Sequence, residues 1–153
     1  MPTWLPMLLV ALLALALMLV VSVGAFVWII LHALPRGGGW NALLARYRAG
    51  APPAGSIRRG ETIMVGAVRF RRVARVAAEL QGLYLEVRSI LLPLNGAVLI
   101  PWQDIRAVEP AFLYWGKAAR LVVGEPVVAR VTLPWRIFEM VRPYLPAGLR
   151  LPT

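Results

Sequence analysis

Residues Met7–Leu31 read MLLVALLALALMLVVSVGAFVWIIL, 25 residues interrupted only by Ser22 and Gly24. No Asp, Glu, Lys or Arg occurs anywhere between Met1 and Pro35. A hydrocarbon core of ~30 Å is crossed by ~20 apolar residues rising 1.5 Å each, so the run is long enough with some tilt to spare. In lipid a lone segment must satisfy its backbone internally, which dictates a helix. A helix buried in a soluble protein would show a polar face, and none is present. A cleaved secretion signal needs a basic start, an apolar run of ~7–15 residues and a small-x-small cleavage site. Here no basic residue stands near Met1 and the run is much longer, so residues 1–35 are expected to form an uncleaved transmembrane anchor. Trp4 before the run and Trp28 and Trp40 near its end suit interfacial aromatic anchors, and packing is the other reading of each.

Charge gives the expected orientation. No basic side chain precedes the run, whereas Arg36, Arg46, Arg48, Arg58 and Arg59 follow it before the first acid, Glu61. The positive-inside rule then leaves the N-terminus outside and the remainder in the cytoplasm of a single-pass protein. The chain has no cysteine, which excludes disulfides and thiolate metal sites. Sixteen arginines against one lysine, with abundant Ala, Gly and Pro, point to a GC-rich bacterial genome and hence to the inner membrane.

Beyond the anchor, Pro35 and Gly37-Gly38-Gly39 are expected to end the helix and form a flexible joint. Trp40, Leu43, Leu44 and Tyr47 recur at i, i+3, i+4 and i+7, one apolar face of a short helix flanked by Arg46 and Arg48. That face suits either the membrane surface or packing on the domain. Gly50–Gly55, with Pro52 and Pro53, reads as a linker, so 36–59 is expected to be a basic juxtamembrane and linker segment.

From Gly60 the pattern changes to short β-type runs divided by turn residues. The expected strands are 61–70, 73–80, 83–89, 97–100, 105–108, 118–123 and 127–133. Gln81-Gly82 and Asn95-Gly96 mark hairpin turns, the latter because both positions tolerate positive φ. After Pro134, the residues Ile137, Met140, Val141, Tyr144 and Leu145 fall at helical spacing. Residues 60–153 are therefore expected to form a mainly-β domain of about seven antiparallel strands, covered by a C-terminal amphipathic helix.

Seven strands and a capping helix are the plan of the pleckstrin-homology-like (PH-like) fold, which includes bacterial PH and GRAM domains. The order of an anchor, Gly39-Trp40-x-x-Leu43, Gly82-Leu83-Tyr84-Leu85, Ile100-Pro101-Trp102-x-x-Ile105 and Leu133-Pro134 resembles a group of bacterial single-pass membrane proteins with a PH-like cytoplasmic domain. The resemblance covers most of the chain, and the Gly-Leu-Tyr-Leu and Ile-Pro-Trp-x-x-Ile pieces are its most specific parts. It implies fold and location. The group has no assigned activity, and the His-Pro pair of its members is replaced here by Asn95-Gly96, so no role of that His carries over.

Catalysis finds little support in the residues. The single His, His32, lies at the end of the apolar run, and the seven acids are scattered, Asp104 and Glu109 being the nearest to a pair. No metal-ligand cluster, nucleophile elbow or phosphate-binding glycine loop is present, so neither metal nor cofactor is expected. Charge is the distinctive feature: residues 36–75 hold nine arginines against one acid. Anionic lipid attracts each nearby basic residue by ~1 kcal/mol, so five juxtamembrane arginines supply ~5 kcal/mol before screening. The candidates for headgroup contact are Arg36, Trp40, Arg46, Arg48, Arg58, Arg59, Arg69, Arg71, Arg72 and Arg75, with Phe70-Arg71-Arg72 expected on a connection between strands.

The function expected is thus a membrane-anchored, non-enzymatic module that binds anionic lipid, a protein partner, or both. The alternative is a structural or assembly subunit of a membrane complex, docking through strand edges or Trp115. Nucleic acid is not expected, because no aromatic stacking platform interleaves the arginines.

Overall fold

The structure, a computed structural model, describes residues 4–90 and 94–153, with backbone alone for 32–38. It divides into two compact units, Met1–Ala33 and Leu34–Thr153. A first helix, α1, spans Trp4–Gly38. Its side chains from Trp4 to Ile29 are exposed, and the 28 residues Trp4–Leu31 are long and apolar enough to cross a membrane. The Ser22 hydroxyl donates to the Met18 carbonyl one turn back (2.8 Å), so the hydroxyl of the apolar run needs no outside partner. Pro35 does not end the helix as expected. A proline removes one helical hydrogen bond but does not itself turn the chain. The break comes at Gly39, whose φ of +80° is left-handed.

In the second unit a short helix, α2 (Trp40–Tyr47), precedes seven strands: β1 Arg58–Val65, β2 Val68–Ala78, β3 Gly82–Val87, β4 Gly96–Pro101, β5 Ile105–Leu113, β6 Gly116–Val123 and β7 Ala129–Pro134. A helix α3 (Trp135–Val141) follows, and a 3-10 turn at Trp102–Asp104 joins β4 to β5. The strands form one curled antiparallel sheet in the order β4-β3-β2-β1-β7-β6-β5, a half-barrel that follows the PH-like plan.

Seven strands are found, as expected, but three connections differ. The first hairpin turns at Gly66-Ala67, inside the run read as one strand over 61–70. Gly66 takes a φ of +59°, and its N–H donates to the Arg130 carbonyl on β7 (2.8 Å). Phe70-Arg71-Arg72 therefore lies within β2 and not on a connection. The register passes from Ile63 opposite Phe70 to Glu61 opposite Ala74, two residues on β1 against four on β2. The surplus is taken up as a bulge, where Arg72 has a φ of +56° and its N–H donates to Thr62 Oγ1 (3.2 Å). Asn95-Gly96 does not make a two-residue turn, since β3 ends at Val87 directly opposite Gly96. The Asn95 side chain instead accepts the Ser89 N–H (2.8 Å). Leu91–Pro93, in the run expected to lead into that turn, lie outside the described residues. Lastly, β5 continues through Pro110 to Leu113; as an edge strand it tolerates a residue without an N–H.

The concave face of the sheet holds the core, and α2 is part of it. Trp40 and Leu43 are fully buried, α2 packs on β4 and β7, and the Trp40 ring meets Phe70 at 5.6 Å. The Trp40 indole N–H donates to the Leu94 carbonyl (3.0 Å). A Cβ on Gly96 would stand 2.6 Å from Leu44 Cδ2, so α2 lies directly against this glycine and a larger residue there would make the Leu44 side chain shift. Of the two readings of this short helix, packing on the domain is the one found, and the second unit starts at Leu34. After α2 the chain runs along the free edge of β4: Arg48 bridges Val98, and the Ala49 N–H donates to the Ala97 carbonyl (2.9 Å). An exposed strand edge is thereby covered. The helix α3 buries Ile137, Phe138 and Val141 in the same core. At that rim the nearly buried Glu61 carboxylate accepts from Arg136 Nη2 (2.6 Å).

Candidate functional site

The two sequence motifs carrying the resemblance are neighbours in space. Gly82–Leu85 lies in the buried strand β3, which pairs with β4 so that Gly82 faces Pro101 and Leu83 faces Ile100. Trp102 donates its indole N–H to the Glu79 carbonyl (2.8 Å) and stacks on Tyr144 at 5.4 Å. Ile105 is buried. These residues, Tyr84 among them, hold the β3–β4 corner together.

The ten candidates for headgroup contact are not one cluster. Trp40 is removed from the set, because it is buried in the core and its one donor is used by Leu94. The Arg36 side chain lies outside the described residues. Arg46 and Arg48 are exposed at the end of α2, with the Arg46 guanidinium 5.7 Å from the Tyr47 ring centre. Arg58 and Arg59 are exposed at the start of β1. Because Met64 on β1 faces Arg69, Arg58 stands six residues, roughly 20 Å, along the sheet from it at ~3.3 Å per residue.

Arg75 is held differently from the rest. It lies 3.5 Å from Glu86 Oε2, while Arg88 Nε donates to Glu86 Oε1 (2.6 Å) and the Tyr84 hydroxyl lies 3.4 Å from Oε2. The nearly buried Glu86 is thus surrounded by donors, and Arg75 spends its charge locally. Burial, and then the Glu86 charge and hydrogen bond, push the Tyr84 hydroxyl above its usual 10.0. Burial, followed by the Asp104 carboxylate, does the same to Tyr47. A cleft of about 310 Å³ lies between residues 49–52 and this Glu86 network.

Arg46, Arg48, Arg58, Arg59, Arg69, Arg71 and Arg72 are exposed and have no carboxylate within ion-pair distance among the described residues. Arg69 and Arg71 share an aromatic partner, their guanidinium carbons lying 4.4 and 6.0 Å from the Tyr114 ring centre. Tyr114 belongs to the β5–β6 hairpin, Phe112-Leu113-Tyr114-Trp115-Gly116-Lys117. This hairpin is seated by a small second cluster, in which Ala111, Leu113 and Ala118 are buried with Met64 packed on them. Its end leaves Phe112 at 78% and Trp115 at 101% of full exposure. Lys117 Nζ lies 4.1 Å from the Trp135 ring centre and donates to the Thr153 carbonyl.

Residues 109–117 lie between the expected fifth and sixth strands and carry no expected element, Trp115 entering only as a docking residue of the alternative reading. The signal was present: three aromatics in four residues stand where a turn ordinarily has Gly, Asn, Asp or Ser. Among the described residues no three of His, Cys, Asp and Glu converge on one point. No protein-family model and no curated protein matches the chain.

Proposed function

We propose that this chain is a membrane-anchored PH-like module without a catalytic centre, which binds anionic lipid headgroups at the cytoplasmic face of a bacterial inner membrane. The observation that carries the reading is the set of seven exposed arginines between residues 46 and 72 that lack a carboxylate partner among the described residues. Evenly mixed surface charge would leave little net field, whereas an unneutralised set of one sign draws anions. At ~1 kcal/mol per basic residue close to an anionic surface, even partial engagement of seven exceeds thermal energy several times over. An apolar helix of spanning length in the same chain keeps the module near a bilayer. The resemblance to bacterial anchored PH-like proteins and the charge asymmetry about α1 support the cytoplasmic side.

The test uses the full chain in lipid nanodiscs. Gly50 is exposed with nothing within 4 Å of a Cβ added there, so Gly50→Cys gives a unique labelling site in a cysteine-free protein. A donor dye at that site and acceptor lipid in the disc report the approach of the domain. Transfer is expected to rise when phosphatidylglycerol replaces phosphatidylcholine and to fall back on adding salt. Equal transfer in neutral and anionic discs at low salt removes the lipid reading.

A further inference from the structure

We infer that the β5–β6 hairpin is a second point of membrane attachment, with Trp115 and Phe112 entering the headgroup boundary of the anionic bilayer while Arg69 and Arg71 engage lipid phosphates beside them. The inference rests on the lipid reading above and assigns it a place.

The hairpin is built against ordinary turn chemistry. Tyr114 holds a φ of +57°, a left-handed conformation unfavourable for an aromatic residue and free of steric cost for glycine. Its ring lies against the Arg69 and Arg71 guanidinium groups. Beside it Trp115 is entirely in solvent and Phe112 nearly so. Neither ring supports the fold: the buried contacts of the hairpin come from Ala111, Leu113 and Ala118. Exposed aromatics next to unpaired cations match the two layers of an anionic bilayer surface, phosphate outside and acyl chain beneath. Lys117, held by Trp135, adds a cation close by.

The hairpin is also set apart from where the chain joins the domain. Gly39 sits against Ala129, which pairs with Val123 at one end of β6, and Gly116 opens the hairpin at the other end. Seven residues at ~3.3 Å each put about 23 Å between them. Attachment at both ends of the sheet restrains the domain in a way a single joint does not.

Gly116 has only an ordinary 3.5 Å neighbour for an added Cβ, so Gly116→Cys labels the hairpin while keeping all its aromatics. The full chain carrying an environment-sensitive dye at this site is placed in nanodiscs of phosphatidylcholine alone or with phosphatidylglycerol, with and without spin-labelled lipid. A blue-shifted emission quenched by spin-labelled lipid is expected in the anionic discs and not in the neutral ones. Phe112→Ser with Trp115→Ser should abolish the quenching. Arg69→Gln with Arg71→Gln should lower the docked-to-free ratio roughly thirtyfold, about 2 kcal/mol for two phosphate contacts. Unchanged circular dichroism and melting would show that these variants remain folded.

If the dye at residue 116 behaves alike in both discs while transfer from residue 50 still responds to anionic lipid, the hairpin assignment falls and the lipid reading stands. If neither responds, both fall. Quenching only after separate vesicles are added, or only with a co-purified protein bound, would also overturn attachment to the chain's own bilayer.

Discussion

Gly82 lies so close to Ile100 that a Cβ added to it would stand 2.3 Å from the Ile100 carbonyl oxygen and 2.8 Å from its carbonyl carbon. Both atoms belong to the backbone of the paired strand β4, so neither yields by rotating a side chain. Gly82→Ala is therefore expected to prise β3 from β4 at the corner where Trp102 docks, destabilising the domain by about 2–3 kcal/mol. Gly50→Ala, where the added atom meets nothing within 4 Å, is the control and should melt within about 0.5 kcal/mol of the parent. Thermal unfolding followed by circular dichroism separates the two, and equal melting would refute the steric account of Gly82.

Trp40 tests whether α2 belongs to the core. It is fully buried, it packs on Phe70, and its indole donates to the Leu94 carbonyl. Trp40→Ala should cost about 3–5 kcal/mol, as expected for a large aromatic lost from a core. Trp40→Phe keeps most of the apolar contact but orphans the carbonyl, for about 1–2 kcal/mol. Were Trp40 instead a headgroup contact, both substitutions would leave unfolding unchanged and weaken lipid association. Denaturant unfolding and lipid association measured on the same variants discriminate.

Glu61 and Arg136 join β1 to α3 across a sequence distance of 75 residues, with the carboxylate side chain 6% and the guanidinium side chain 73% exposed. Removing the arginine leaves a desolvated carboxylate without its donor. Arg136→Met is expected to destabilise by about 1–2 kcal/mol, below the figure for a fully buried pair because water reaches the arginine. Adding Glu61→Gln should restore much of the loss, since the uncompensated charge is then gone. A double-mutant cycle reads the coupling, and additive single effects would mean that the pair contributes nothing.

Tyr47 and Tyr84 give an alkaline signature. Burial, together with Asp104 beside Tyr47 and Glu86 beside Tyr84, favours the neutral phenol in the folded protein, so both hydroxyls titrate above 10.0. The folded state then holds its phenolic protons more tightly than the unfolded state. The contribution is fully present below pH 10 and is lost as pH rises through the folded values. Unfolding free energy should be flat near neutrality and fall above about pH 10, and Tyr47→Phe with Tyr84→Phe should shallow that fall. An equally steep fall in the double variant would place the alkaline sensitivity elsewhere.

Much of the fold was legible because it depends on local chemistry. Met7–Leu31 announces a helix by length and lack of charge, and Gly82-Leu83-Tyr84-Leu85 announces a strand by its apolar run beside a turn. What was not legible depends on pairing between distant residues. Gly66-Ala67 is a weaker written turn than Gln81-Gly82, and it becomes one because β1 and β2 can pair across it with β7 alongside. The helical spacing of Trp40, Leu43, Leu44 and Tyr47 predicts α2 but leaves open which surface it meets; that surface is β4, where Leu44 lies against Gly96, 52 residues further along the chain. The arginines were visible as a count. Their grouping was not, because Tyr114 reaches Arg69 only after the β5–β6 hairpin is seated on Met64.

Arg75 is the arginine whose behaviour separates charge count from charge availability. It sits on the same strand as Arg69 and Arg71, but it faces Glu86, whose carboxylate lies 3.5 Å away. Long-range attraction to an anionic bilayer depends on net field, and a cation beside its own counter-charge contributes little to it. Arg69→Gln and Arg71→Gln should each weaken association with anionic nanodiscs by about 1 kcal/mol, roughly fivefold. Arg75→Gln should leave association within twofold of the parent, about 0.4 kcal/mol, and act on stability instead by taking one donor from Glu86. If association falls equally for all three, the surface responds to total charge alone, and the distinction between paired and unpaired arginines has no bearing on how the domain meets lipid.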